Sequence, residues 1–398
     1  MSGPLAGIRV VDLTSALLGP LATQTLGDMG ADVIKVEPPE GDPIRALGPS
    51  RHPGMGAYFL NINRNKSSIA LDLKRPAARE ALLKLVETAD VFVHNMRLAA
   101  ADRLGLGYRA VAARNPHIVY AAATGFRKDG AYRDRPSFDD VIQGESGLAA
   151  LNGGPDGAPR YVPMAVSDKI CGYVLASAIG MALFHRERTG QGQELHVPML
   201  ETMVAFNLAD HLWHGALAEP EKGLGYPRML TEHRRPFPTK DGHICILATT
   251  DTQSRHLFEA IDRPELADDE RFSSLARRTD NIGELYEIVI ERMRLRTTAE
   301  WRERLDQFDV PNGVVTDLEG LLADPYLAET GFFERVEHPT EGKMLTMAVP
   351  VMFSGSPADN FRLPPPRLGE HTRSVLAELG YSGTEIDDIT VQPSAIRD

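Results

Sequence analysis

Cysteine is scarce in this chain: Cys171 and Cys245 are the only two among 398 residues. That count excludes a disulfide framework and a cysteine-built zinc site, so no metal is expected, and it suits a reducing compartment. Also missing is a glycine fingerprint. The first turn, LTSALLGPLATQ, carries one Gly and one Pro and cannot form the GxGxxG cradle of a dinucleotide enzyme. Basic charge is in deficit, with 43 Lys and Arg against 55 Asp and Glu and a net charge of -12. Nucleic acid is therefore not expected as a partner, although a local basic pocket for an anionic ligand remains compatible. No basic stretch followed by a long apolar one opens the chain, so no signal peptide is expected. The apolar run Ile170 to Phe184 is short for a bilayer span. The expectation is a soluble, cytoplasmic protein with no membrane partner.

What the chain does have is length enough for two domains and an ordinary globular composition, 42% hydrophobic and 25% charged. Ile8–Asp12 reads as a strand, Leu21–Met29 as a helix and Asp32–Glu37 as a second strand. That order is a βαβ unit and implies a parallel sheet. With no glycine fingerprint beside it, Glu37 reads as a solvated strand end rather than a ribose ligand. The alternation continues through a strand at Ser68–Leu73, a helix at Pro76–Glu87, and strands at Val91–His94 and Ile118–Ala123. An α/β layer fold follows. Ligands of such folds sit outside the carboxyl ends of the strands. Lys74, Arg75, Arg97 and Arg103 fall just past strands and are candidates for a phosphorylated ligand. Taken singly, each reads as well as ordinary surface charge.

Farther along, Phe138–Leu151 reads as one helix, TGQGQ as a helix cap, Glu194–Val197 as a strand and Leu200–Trp213 as a helix. Composition shifts near Ala218 to a segment rich in Pro, Gly and charge. A smaller α/β domain follows, with a strand at His243–Ala248, a helix at Gln253–Ile261 and a helical stripe of Ile282, Leu285, Tyr286, Val289 and Met293. Thr297 and Glu300 form a capping box before Trp301. Two strands and a helix at Thr372–Leu379 close the chain.

Asp168 precedes the apolar run that ends in Arg186, Arg188 and Gly190. Asp before such a run and Gly after it are helix start and stop signals. Asp168 is therefore expected as an N-cap, a rigid carboxylate at the mouth of a helix that is apolar all round and hence buried. A cap alone would explain it.

Several stretches carry a more specific signal. They are LAGIRVVDLTSALLGPLATQTLGDMGADVIKVEPPEGDPIR, NRNKSSIALDLKRP, DVFVHN, DRLGLGY, RTGQGQELHVPMLE, VPNGVV and LGEHTRSVLAELGYS. Together, in this order, they resemble the family III CoA-transferases, a group that includes formyl-CoA transferase, carnitine CoA-transferase and the 2-methylacyl-CoA racemases. The resemblance covers nearly the whole chain. It implies that Asp168 is the nucleophile, carrying CoA as an aspartyl thioester between an acyl-CoA donor and a carboxylic acid acceptor. CoA enters as a substrate, and no cofactor is implied. By position, the CoA contacts would fall on Leu17, Leu71, Asp72, Leu73 and Lys74, on Asn95, Met96, Arg97 and Arg103, and on Phe138 and Asp139. The family also implies a Rossmann-like large domain from both chain ends, 1–200 and 330–398, and a small α/β domain at 225–325. Residues 201–224 and 326–329 would link them, in a ring-shaped monomer interlocked as a homodimer.

Two departures bear on the substrate. Leu17 stands where formyl-CoA transferase has a glutamine, and GLGYPRMLTEHRRPFP replaces its glycine-rich flap. Arg228, His233, Arg234 and Arg235 in that loop suit an acid with a second carboxylate, because guanidinium forks bind such groups bidentately. The alternative is that these charges pair with acids such as Glu232 or face solvent. A racemase would need a proton acceptor where Phe138 stands, which the side chain cannot supply. A non-catalytic acyl-CoA-binding protein would have no use for Asp168.

Overall fold

The computed structural model describes residues 3–153 and 157–390. The chain divides into two compact units. One takes the described residues up to 152, then 159–206, then 326 onward; the other is 207–325 with the described residues between 153 and 158.

The first unit is built on a six-stranded sheet, all of it parallel: β1 (Arg9–Leu13), β2 (Asp32–Glu37), β3 (Lys66–Ala70), β4 (Val91–His94), β5 (Val119–Thr124) and β6 (Gln193–Pro198). Its order is β3-β2-β1-β4-β5-β6. This is the doubly wound order, in which the chain reverses direction across the sheet between β1 and β4. Apolar clusters cover both faces. Val10, Val33, Val91 and Val93 pack on one side, and Val11, Ile34, Phe92 and Tyr120 on the other. Strands buried on both faces read as near-continuous apolar runs, which is why VVDL, VFVH and VYAAAT form here.

Three helices position the site. α1 (Leu18–Asp28) follows β1, α2 (Asp139–Glu145) follows β5, and α3 (Val166–Thr189) precedes β6. α1 and α3 approach so closely that a Cβ on Gly172 would lie 2.7 Å from the Leu18 carbonyl oxygen. The tail returns to the sheet unit. Leu363 accepts from the Asn65 N–H at 2.8 Å, and His371 donates to the Ser68 carbonyl at 2.9 Å. An antiparallel pair, Phe333–His338 with Gly342–Met347, belongs to this unit too.

The second unit has a three-stranded antiparallel sheet, β7 (Phe237–Pro238), β8 (His243–Ile246) and β9 (Asn312–Val314). Helices α4 (Asp251–Ala260), α5 (Ile282–Met293) and α6 (Thr298–Gln307) pack with it around Phe258, Met293 and Trp301. Capping boxes start α4 at Thr250 and α6 at Thr297.

Several expectations are corrected. The helix expected over 138–151 is two, because Gly147 takes a left-handed φ of 85° and Leu148–Leu151 restarts after it. Glu37 is no solvated strand end. It is 2% exposed and accepts from Arg45 at 2.7 Å and from the Ser68 hydroxyl at 2.7 Å. α3 is not buried all round. Cys171, Leu175, Ile179 and Leu183 face the core, whereas Tyr173, Met181 and Phe184 are exposed. A helix apolar on every side has two faces to cover, and this chain covers one. By length and composition alone, the 24-residue α3 could cross a membrane. Its inner face packs on α1 and the sheet like a core helix.

Candidate active site around Asp168

The carboxyl ends of β1 and β4 flank the reversal of the sheet, and the residues leaving them meet. The Asn95 side chain accepts from the Ser15 N–H at 3.0 Å and donates to the Ser15 carbonyl at 2.8 Å. Beyond this turn lies Leu17, nearly fully buried with Ile44, Phe59 and Ile62; Ala165 and Ala16 pack on the same cluster. Ala165 is the cap residue of α3, so the cluster reaches the foot of the Asp168 helix.

Asp168 itself is not the N-cap. α3 begins at Val166, and the Lys169 N–H already bonds the Ala165 carbonyl at 3.2 Å, which puts Asp168 third in the first turn. There the helix dipole still favours a negative charge. The Asp168 N–H donates to Asp139 Oδ1 at 2.9 Å. Asp139 is held in turn by Gln143, which donates to its Oδ2 at 2.6 Å. Gln143 also bonds the Met164 carbonyl and the Val162 N–H, so α2 fixes the approach to α3.

No hydrogen bond to the Asp168 carboxylate is seen among the described residues. Burial, and then the Asp139 charge, push it up to about 7. No side chain among the described residues competes for its oxygens. The Tyr58 hydroxyl is pushed up as well, by burial and by the charges of Asp168 and Asp139. Tyr58 thus belongs to this niche, although the sequence offered no signal for it beyond being an aromatic near Phe59.

The remaining expected residues divide into groups. Arg97 and Arg103 line one cavity of about 300 Å³ with Ala99, Ala100 and Asp134. Both are exposed, so their guanidiniums are accessible to a phosphate. Lys74 is exposed past the end of β3; its N–H bonds Asp72 Oδ1 at 3.0 Å. Leu71 is 2% exposed and Leu73 packs against the same core, so the Leu71 side chain faces inward, away from any ligand. Met96 likewise packs on that core. Phe138 is 72% exposed, and Asp139 is turned inward to Asp168. No cluster of His, Cys, Asp or Glu suited to a metal occurs among the described residues.

In the second unit, His233 pairs with Glu287 at 3.2 Å and lies 3.9 Å from Glu232. Arg228 stacks over Tyr226 at 5.5 Å. Arg234 and Arg235 are exposed, with no acid partner among the described residues.

Comparison with known proteins gives one answer. Residues 5–372 match the profile of CoA-transferase family III. Human succinyl-CoA:glutarate CoA-transferase is 33% identical over 390 residues, covering 97% of this chain and 88% of that one. The succinyl-CoA–D-citramalate CoA-transferase of Chloroflexus aurantiacus is 30% identical over 393 residues, covering 98% and 96%. A crystal structure of a CAIB/BAIF family protein from Brucella suis superposes with a TM-score of 0.78 at 32% identity, covering 95% of this chain and all of that one.

Proposed function

This chain belongs to CoA-transferase family III, and on that premise we propose that it passes CoA between small dicarboxylic acids through a thioester on Asp168. The observation that carries the reading is the Asp168 carboxylate: raised to about 7, unbonded among the described residues, and set in the first turn of α3.

The ionised carboxylate attacks the acyl-CoA carbonyl. The C–S bond breaks, CoA leaves as a thiolate, and an acyl–Asp168 anhydride remains. The thiolate then attacks the aspartyl carbonyl, expels the donor acid as its carboxylate and leaves CoA on Asp168. An acceptor carboxylate repeats the two displacements in reverse and departs as the new acyl-CoA. No thioester energy is lost if water is kept out. Arg97, Arg103 and Lys74 are the cations for the phosphates of CoA, with Asn95, Met96 and the 71–74 backbone beside them. Phe138 offers exposed apolar surface, Leu17 is turned into the protein, and Asp139 positions the nucleophile.

One consideration supports dicarboxylates: relatives named for glutarate and citramalate align over nearly the whole chain. The uncovered stripe of Tyr173, Met181 and Phe184 on α3 supports a homodimer, since a patch of this kind marks an association surface.

Incubation with succinyl-CoA alone should add the mass of CoA to the Asp168 peptide, in a hydroxylamine-labile bond. Adding glutarate should clear it and yield glutaryl-CoA. Asp168→Ala should abolish the adduct and slow transfer by about 10⁴-fold. Transfer at the wild-type rate by that variant would defeat the mechanism. Butyrate matching succinate in kcat/KM would defeat the dicarboxylate reading.

A further inference from the structure

The turn from β1 into α1 sits where a dinucleotide fold would place its first glycine, yet the residue there is alanine. Ala16 takes a left-handed φ of 64°, a conformation that costs any side chain bearing a Cβ and persists only when its surroundings over-determine it. They do so here. Asp12 Oδ1 accepts from the Thr14 N–H at 2.9 Å, and Lys35 Nζ donates to the Thr14 carbonyl at 2.8 Å. Asn95 holds both backbone groups of Ser15. Asp42 Oδ1 accepts from the Ala16 N–H at 3.2 Å, and Asp42 Oδ2 from Lys35 at 2.9 Å. Lys35 and Asp42 are themselves buried. The Asp42 N–H is tied to Glu37, which is clamped by Arg45. Charges are being kept inside the protein, at a desolvation cost, around three residues of backbone.

We propose that Asp42, fixed by Lys35, is a positioning residue for the transfer reaction. It locks Ala16 in the left-handed turn and so keeps Leu17 pressed on the foot of α3, where Leu17 shuts water out of the Asp168 niche. The inference rests on the reading of Asp168 as the nucleophile. Its chemical sense lies in the anhydride. Water adding to that carbonyl would return the Asp168 carboxylate and a free acid, so CoA would be released without a new thioester. Leu17 is 4% exposed and packs with Phe59 and Ala165. A loosened turn opens that wall, and transfer then competes with hydrolysis.

The test compares wild type, Asp42→Asn and Asp42→Asn/Ala16→Gly with succinyl-CoA and glutarate, scoring new thioester against free CoA. Asp42→Asn should lower kcat for transfer by about tenfold or more. It should raise the hydrolysed fraction and leave KM for the CoA ester little changed. Glycine adopts the left-handed turn without support, so the double variant should recover most of the transfer and suppress the hydrolysis. A purely structural role for the buried ion pair would give no such rescue, because Lys35 stays mispaired in both variants. Should Asp42→Asn fail to fold, Asn95→Ala, at an exposed contact, should raise the hydrolysed fraction in the same way. An unchanged partition in whichever variant folds, or a folded double variant without recovery, overturns the proposal. A wild type that never carries CoA on Asp168 sinks the nucleophile reading and this inference together. A wild-type adduct with an unchanged partition sinks this inference alone.

Discussion

In the sheet unit Asp12, Lys35, Glu37, Asp42, Arg45 and Lys66 are all nearly or fully buried, whereas in the second unit Arg278 is the one buried charged side chain among the described residues. The second unit keeps its other charges outside. There Asp262 gathers Arg292, Arg296 and Arg304 at the surface, while Trp301, Phe258 and Met293 fill the interior. A buried ion pair is poor value as a source of stability, because desolvation consumes most of the Coulomb gain. The second unit shows that this chain can build a core without one. On the proposal above, the charges inside the first unit meet a different requirement, that of holding backbone in a set shape. Even their titration reflects the strain of confinement. Burial pulls Lys66 down to about 8 despite the attraction of Asp12. In Lys35 burial is outweighed by Asp12, Asp42 and Glu37, which leave it raised.

The contrast can be broken at its strongest point in each unit. Trp301→Ala should cost about 3–5 kcal/mol, since the indole is 1% exposed and also donates to the Met293 carbonyl at 2.7 Å. Calorimetry should show the loss. Lys35→Met removes a charge whose partners stay buried and should cost about 3 kcal/mol. It should also lower transfer beyond what lost fold explains, measured as kcat per folded enzyme by active-site titration. If Lys35→Met lost only stability, the two units would differ in composition and not in purpose.

Smaller effects sharpen the comparison. Transfer should depend on ionised Asp168, so the wild-type rate of thioester formation should rise with pH through about 7 and then level. Asp139→Asn keeps an acceptor for the Asp168 N–H while removing the nearby charge. The midpoint should then fall, yet stay above the usual carboxylate range because burial, the larger cause, remains. Stability carries the opposite sign. The native state holds a proton on Asp168 that the unfolded chain loses near pH 4, so this contribution fades as pH rises toward 7. Last, Arg304→Ala in the Asp262 cluster should change stability by about 0.5 kcal/mol or less in moderate salt, read by denaturant titration.

Much of this was legible in the amino-acid order. The β2 and β4 strands fall where apolar runs placed them, and the caps at Thr297 and Gly190 do as well. The ends that moved did so through backbone effects that side-chain patterns do not carry. α3 starts at Val166 because the Ala165 carbonyl accepts the first helical bond, and nothing in Ala-Val-Ser announces that. The frame around Ala16 leaves a trace in the sequence. Asp12 and Lys35 are charges inside strands that a doubly covered parallel sheet must bury, and buried charge without a partner is untenable. Each therefore implied a buried partner, which is Lys66 for Asp12 and Asp42 for Lys35. Asp42 and Asn95 arrive from loops, and only tertiary folding brings them to Ser15 and Ala16. Tyr58 entered the niche in the same way.

The sheet unit is closed by residues that leave the ribosome late. Arg45 donates to the Pro366 carbonyl at 3.2 Å, the Gly369 N–H bonds the Ser68 hydroxyl at 2.9 Å, and Arg9 pairs with Glu378 at 2.9 Å. All of residues 207–325, the bulk of the other unit, are made in between. At about 5–20 residues per second, these early residues wait on the order of tens of seconds for their last partners. During synthesis Arg45 and Ser68 can already bond Glu37, but their partners in the tail are still missing. Residues 207–325, contiguous and later, are free to finish first. The sheet unit is thus the last part of this enzyme to be completed.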